Sequence, residues 1–221
     1  MERPASSQSA SIMSVSGQLL FRIASCMTLM LFQCGWSHGH ELLDGEVDRR
    51  VQISVKPDAV LVEYSLAMND STMQRIIKEH HLKPAAEFPD RCKQLQEIGL
   101  QSLPTRMLLS LDGKKTVLKP VRGSYSGWSH PHLSVLLRAD IRLSDQKQTV
   151  VIADRNFPNA SGDYRIAIKG RSGAILEGGS ARSLVSKVEP VRWEKLTDEQ
   201  KSIVSRVQAE FYIKPPATGD R

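Results

Sequence analysis

Apolar and polar residues alternate with a period of two through most of the chain beyond residue 50. Val51, Ile53 and Val55 share one face, and Pro57-Asp58 then supplies turn chemistry. From Val60 to Met68 the alternation resumes, with Val60, Val62, Tyr64, Leu66 and Met68 opposite Leu61, Glu63, Ser65 and Ala67. These two runs read as a hairpin. Arg106 to Leu111 and Thr116 to Val121 flank Asp112-Gly113-Lys114-Lys115, the signal of a second hairpin. Leu133 to Leu143, Thr149 to Ala153, Tyr164 to Ile168 and Ser183 to Val188 continue the strand pattern, and Gly178-Gly179 reads as a tight turn. About eight strands at this spacing predict a mainly all-β fold, an immunoglobulin-like β-sandwich over residues 38–190.

Helical periodicity breaks in twice. Thr72 to His81 and Pro89 to Ile98 form a short helical insertion, with Lys83-Pro84 between them. Near the carboxyl end Thr197 and Gln200 stand at capping-box spacing, and Ile203, Val204, Val207 and Phe211 make an apolar stripe. The expectation is a C-terminal helical extension over residues 191–214, stopped by Pro215-Pro216, with a loose tail at 215–221.

Ahead of the alternating region the pattern differs again. Ile23 to Phe32 is apolar but shorter than the ~20 residues that span a bilayer. Arg22 precedes it, and Gly35 and Ser37 are small residues at the exit, so residues 1–37 read as a signal peptide or an N-terminal membrane anchor. Cys26 and Cys34 fall inside that segment, which leaves Cys92 without an internal disulfide partner and best read as a half-buried residue on a helix. The chain is expected to work extracytoplasmically, periplasmic or secreted, free or tethered by an uncleaved leader.

Charge narrows the function classes. The net charge is +6 over 221 residues, and aromatic residues are only 5 %. The basic residues are spread along the chain rather than gathered between stacking residues, so nucleic-acid binding is excluded from the expectations. No HExxH, phosphate loop or nucleophile elbow is present, and the chain is not expected to be an enzyme. Asp154-Arg155-Asn156 before Phe157-Pro158 reads as turn chemistry.

Histidine carries the candidate chemistry. All six occur as three close pairs, His38 with His40, His80 with His81, and His130 with His132. Cleavage after Ser37 would leave His38-Gly39-His40 at the terminus. A free amine, two backbone amides and the His40 imidazole form a nitrogen site of the square-planar kind that Cu(II) and Ni(II) prefer. His130 and His132 straddle the start of a strand, where alternate residues share a face, and could complete a site with His38 or His40. His80 and His81 end a helix, where a cationic ring suits the dipole. The candidate metal ligands are therefore His38, His40, His130 and His132, for a Ni, Co or Cu ion.

The stretch from His38 to Tyr64-Ser65-Leu66-Ala67-Met68-Asn69-Asp70 resembles the extracytoplasmic amino-terminal domain of NicO-type nickel/cobalt transporters. Ala153-Asp154-Arg155-Asn156-Phe157-Pro158, followed by Gly162 and Tyr164-Arg165-Ile166, is similar to that family's turn before its last strands. The likeness covers about residues 38 to 190. It departs at Gly162-Asp163, where the family often has Gly-Trp, and at His38-Gly39-His40, where it has a His-Pro step. The family continues into several membrane helices, and no later segment of this chain is apolar enough to match them. The resemblance implies a freestanding accessory domain for transition-metal handling beside a membrane transporter or envelope protein. A metal-free protein-interaction module docking on such a partner is the alternative.

Overall fold

The computed structural model describes residues 42–127, 131–179 and 188–213. The described residues are mainly β, 47 % strand and 24 % helix, and their strands form two sheets. Strands β1 (Val47–Val55), β2 (Ala59–Met68), β5 (Lys119–Ser126), β6 (His132–Asp140), β8 (Asp163–Gly170) and β10 (Val191–Arg192) make a six-stranded sheet in the order β10-β8-β1-β2-β6-β5. Strands β3 (Met107–Leu111), β4 (Lys114–Thr116), β7 (Gln148–Asp154), β9 (Ala174–Gly179) and β11 (Arg206–Ile213) make the second, in the order β4-β3-β7-β11-β9. Among the described strands all pairings are antiparallel except β1 with β8.

Alternation explains the register. The inward face of β1 carries Val47, Arg49, Val51 and Ile53, all buried, and Val51 and Ile53 stand opposite the buried Tyr64 and Val62 of β2. One hydrophobic cluster takes side chains from both sheets, including Val62 and Leu137 from the first and Leu109, Ile152 and Phe211 from the second. Helices α1 (Asp70–Glu79) and α2 (Phe88–Ser102) follow β2 and add Met73, Ile77, Leu95 and Ile98 to the same core. Asn69 caps α1 by accepting from the Thr72 amide, and Arg91 clamps the two helices by donating twice to Asp70 at 3.0 and 2.9 Å. No helix among the described residues is long and apolar enough to cross a membrane.

Four expectations are corrected. The capping box of Thr197 and Gln200 is present, but helix α3 spans only Asp198–Val204. Val207 and Phe211 lie on β11 instead. Positions four apart satisfy a helical stripe and a strand face alike, and the buried Ala209 between exposed Gln208 and Glu210 marks the strand. The C-terminal segment is thus part of the second sheet, between β7 and β9.

Next, the turn at Asp112-Gly113 joins β3 to β4 alone, and β5 pairs with β6 in the other sheet. Leu118, buried between β4 and β5, anchors that crossover in the core. Third, Gly178-Gly179 ends β9, where the register with β11 shifts between Ala209 and Glu210. The hairpin-like turn is Arg171 to Ala174, with Ser172 and Gly173 at positive φ, and it carries the chain from one sheet to the other. Finally, Cys92 is fully buried on α2 rather than half-buried. The strand expected over Ser183–Val188 falls almost wholly on 180–187, outside the described residues.

Candidate functional site

A polar network lies inside the apolar core. Tyr64 on β2 donates its hydroxyl to Asp154 Oδ2 at 2.9 Å, joining the two sheets. The other carboxylate oxygen accepts from the Asn156 amide and from Asn156 Nδ2, both at 2.9 Å. Aspartate holding the amide two residues on is the turn chemistry expected of this segment. Asn156 Nδ2 also donates to Leu103 O at 3.3 Å, tying the turn to the end of α2. Burial pushes the Asp154 carboxyl above its usual range, against the hydrogen bonds from Asn156 and Tyr64 and the nearby Arg49 charge. The Tyr64 phenol is pushed well up, by burial first and by the Asp154 charge.

Arg49 is the unusual member. It occupies an apolar-face position of β1 and is only 2 % exposed. Its Nη1 donates to the carbonyls of Asn156 and Phe157 at 3.2 and 3.0 Å. The guanidinium carbon lies 4.2 Å from the Trp193 ring and 4.9 Å from the Tyr164 ring. Tyr164 is next to Arg49 in the parallel β1–β8 register. Among the described residues Arg49 Nε and Nη2 and the Tyr164 hydroxyl have no hydrogen-bond partner. Trp193 is fixed from the other side, because its Nε1 donates to Pro158 O at 3.0 Å. The preceding Arg192 binds Glu46 at 2.5 Å and Glu194 at 3.0 Å, which ties β10 to the start of β1.

Asp154, Asn156 and Trp193 of this network line one side of a cleft of about 750 Å³ on the outer face of β3 and β7. Its floor is made of small or short side chains, Ser110, Val151 and Ala153, with Leu108 beside them. Arg155, Asn156, Pro158 and Asn159 line it from the loop after β7, and Asp198, Lys201, Ser202 and Ser205 from the segment around α3. Lys115 on β4 and Arg206 at the start of β11 complete the lining. Small outward side chains leave the concavity, and the α3 segment walls it because β11 must return to pair with β7. Concavities of a few hundred to about 1,000 Å³ are the usual size of small-molecule sites.

The expected metal ligands are not brought together by the described residues. His38, His40 and His130 lie outside them. His132 opens β6, half-buried, in register with Ala67 on one side and Ser126 on the other. His80 caps α1 and His81 follows it at positive φ, as expected of residues ending a helix. Among the described residues there is no group of three or more His, Cys, Asp or Glu arranged to hold a metal ion. Trp193 packs in the core, and Trp128 lies outside the described residues.

Sequence reasoning missed the cleft and Arg49. Arg49 stands two residues before Val51 on the alternation of β1, so extending that pattern backward would have placed an arginine inside. Compared with known proteins, the chain matches no family model and no curated protein. The likeness to the NicO-type domain rests on the quoted residues alone.

Proposed function

We propose that this chain is a non-catalytic binding module, an immunoglobulin-like β-sandwich working outside the cytoplasm, whose ligand seats in the cleft on β3 and β7. The cleft carries this reading. Its buried carboxylate, Asp154, already accepts three hydrogen bonds from Tyr64 and Asn156. A general base must accept a proton from its substrate, and a nucleophilic serine needs a base beside it. Ser202 and Ser205 line the cleft without a histidine in the lining, and Ser205 Oγ donates to the Ser202 carbonyl at 3.4 Å. Recognition therefore accounts for these residues better than turnover does. The leader read over residues 1–37 supports the location.

The test is a fragment screen on the isotope-labelled exported chain, with neutral, cationic and anionic fragments. Shifts gathered at Ala153, Arg155, Asn159, Ser202 and Arg206 are expected. Shifts gathered elsewhere, or none with any fragment, would reject the cleft as the binding site.

A second reading has its own specific support in the sequence. A terminus beginning His38-Gly39-His40 would hold Cu(II) or Ni(II), and an accessory role beside a membrane transporter or envelope protein follows from it. Intact mass and N-terminal sequencing, then titration with both ions, decide it. Near-unit stoichiometry lost in His40→Ala supports the site, and a terminus anywhere other than His38 removes it.

A further inference from the structure

We infer that the cleft binds a small polyanion, a molecule carrying two or more carboxylate or phosphate groups. The inference rests on the cleft being the binding site and adds the ligand's chemical class. Lys115, Arg155, Lys201 and Arg206 come from four separate elements and converge on one concavity. Against them stand two carboxylates. Asp154 is buried and hydrogen-bonded within the fold, and Asp198 is fully exposed at the start of α3, 3.7 Å from Lys201. Lys115, Arg155 and Arg206 pair with no carboxylate among the described residues. Cations with low-dielectric walls behind them focus positive potential into a cleft.

The buried Arg49 adds to this independently. It stacks on Trp193, a residue of the cleft lining, and among the described residues its hydrogen-bond acceptors are the main-chain carbonyls of Asn156 and Phe157. No salt bridge holds it among the described residues, and although its charge is felt by the buried Asp154, its guanidinium stands directly behind the loop that lines the site. The lining also argues against a nucleic acid strand. Bases stack on exposed aromatic faces, and the one aromatic in this lining, Trp193, is 5 % exposed with Arg49 over its ring. Cations placed on several elements fit a compact ligand charged at more than one point.

Citrate and pyrophosphate are the probes, titrated into the exported chain at constant ionic strength, with acetate and chloride as single-charge controls. Chemical-shift changes at the cleft residues report the site. At least one polyanion is expected to bind there more tightly than acetate. Arg155→Glu, Arg206→Glu and Lys115→Glu should each weaken it by about tenfold or more, the size of a lost charge-assisted contact. All three positions are exposed, and unchanged near-ultraviolet circular dichroism confirms that the variants fold. Lys119→Glu, on β5 of the other sheet, should leave the affinity unchanged. Binding of citrate alone assigns carboxylates, of pyrophosphate alone phosphates, and of both a charge-based preference. The inference is overturned if neither polyanion exceeds the controls, or if Lys119→Glu weakens binding as much as the cleft variants. Neutral fragments seating in the cleft while both polyanions fail would overturn it and leave the cleft as the binding site. Failure of every fragment would remove both readings.

Discussion

Tyr64 and Asp154 are ninety residues apart, and their hydrogen bond is a direct polar tie between the two sheets inside the core. Tyr64→Phe keeps the ring and its packing but leaves a buried carboxylate short of one donor. The expected cost is about 1–3 kcal/mol, read as a lower denaturant midpoint with an unchanged slope. Asp154 should also give stability a distinct pH dependence. Its carboxyl is held above the ordinary value of 3.8, chiefly by burial, so the native state holds this proton more readily than the unfolded chain. The contribution is complete below that ordinary value and fades as pH rises through the raised one. Asp154→Asn removes the titration. Unfolding free energy of the native chain minus that of the variant should therefore fall with rising pH across this window. A difference that stays flat or rises would show that Asp154 does not titrate as a buried acid.

At the level of elements, much of the architecture could be read from alternation, and its failures have physical causes. β1, β2, β6, β7 and β8 announced themselves because one face is apolar and the other polar. β5 is exposed at nearly every position, so no face distinguished it from a hairpin arm. The start of β11 was assigned to a helix because Val207 and Phe211 fit both periods, with Ala209 too small to weigh in a stripe. The cleft had no local signal, since its lining comes from β3, β4, β7, α3, β11 and the loop after β7. Arg49 was hidden by composition: an arginine at a strand end is ordinarily solvent-facing, and only the stacked rings of Tyr164 and Trp193 make it an interior residue. Two glycines separate backbone strain from crowding. Both have positive φ, but a Cβ on Gly162 would meet the Val47 carbonyl carbon and oxygen at 2.8 Å, whereas one on Gly113 would meet nothing within 4 Å. Gly113→Ala should cost about 1–2 kcal/mol from conformation alone. Gly162→Ala should cost clearly more, and equal melting temperatures for the two variants would contradict this packing. Thr197→Ala, which removes the α3 cap, should cost about 1 kcal/mol, with Thr197→Ser retaining most of it in the same melts.

Across the whole molecule, the connection that matters most is the return of the chain into the middle of the second sheet. β11 is paired on both sides, with β7 over Arg206–Phe211 and with β9 over Ala209–Ile213. A chain ending at Ser205 would leave β7 with a bare edge, β9 without its neighbour, and the core without Val207, Ala209 and Phe211. Such a truncation is expected to lose cooperative unfolding, and a sharp thermal transition retained in it would refute the central role of this strand. The same arrangement sets a clock on biogenesis. Synthesis runs from the amino end, so the ten other described strands emerge before the one that joins β9 to the rest of its sheet. Throughout that interval the nascent chain carries an open strand edge that could recruit a neighbouring polypeptide.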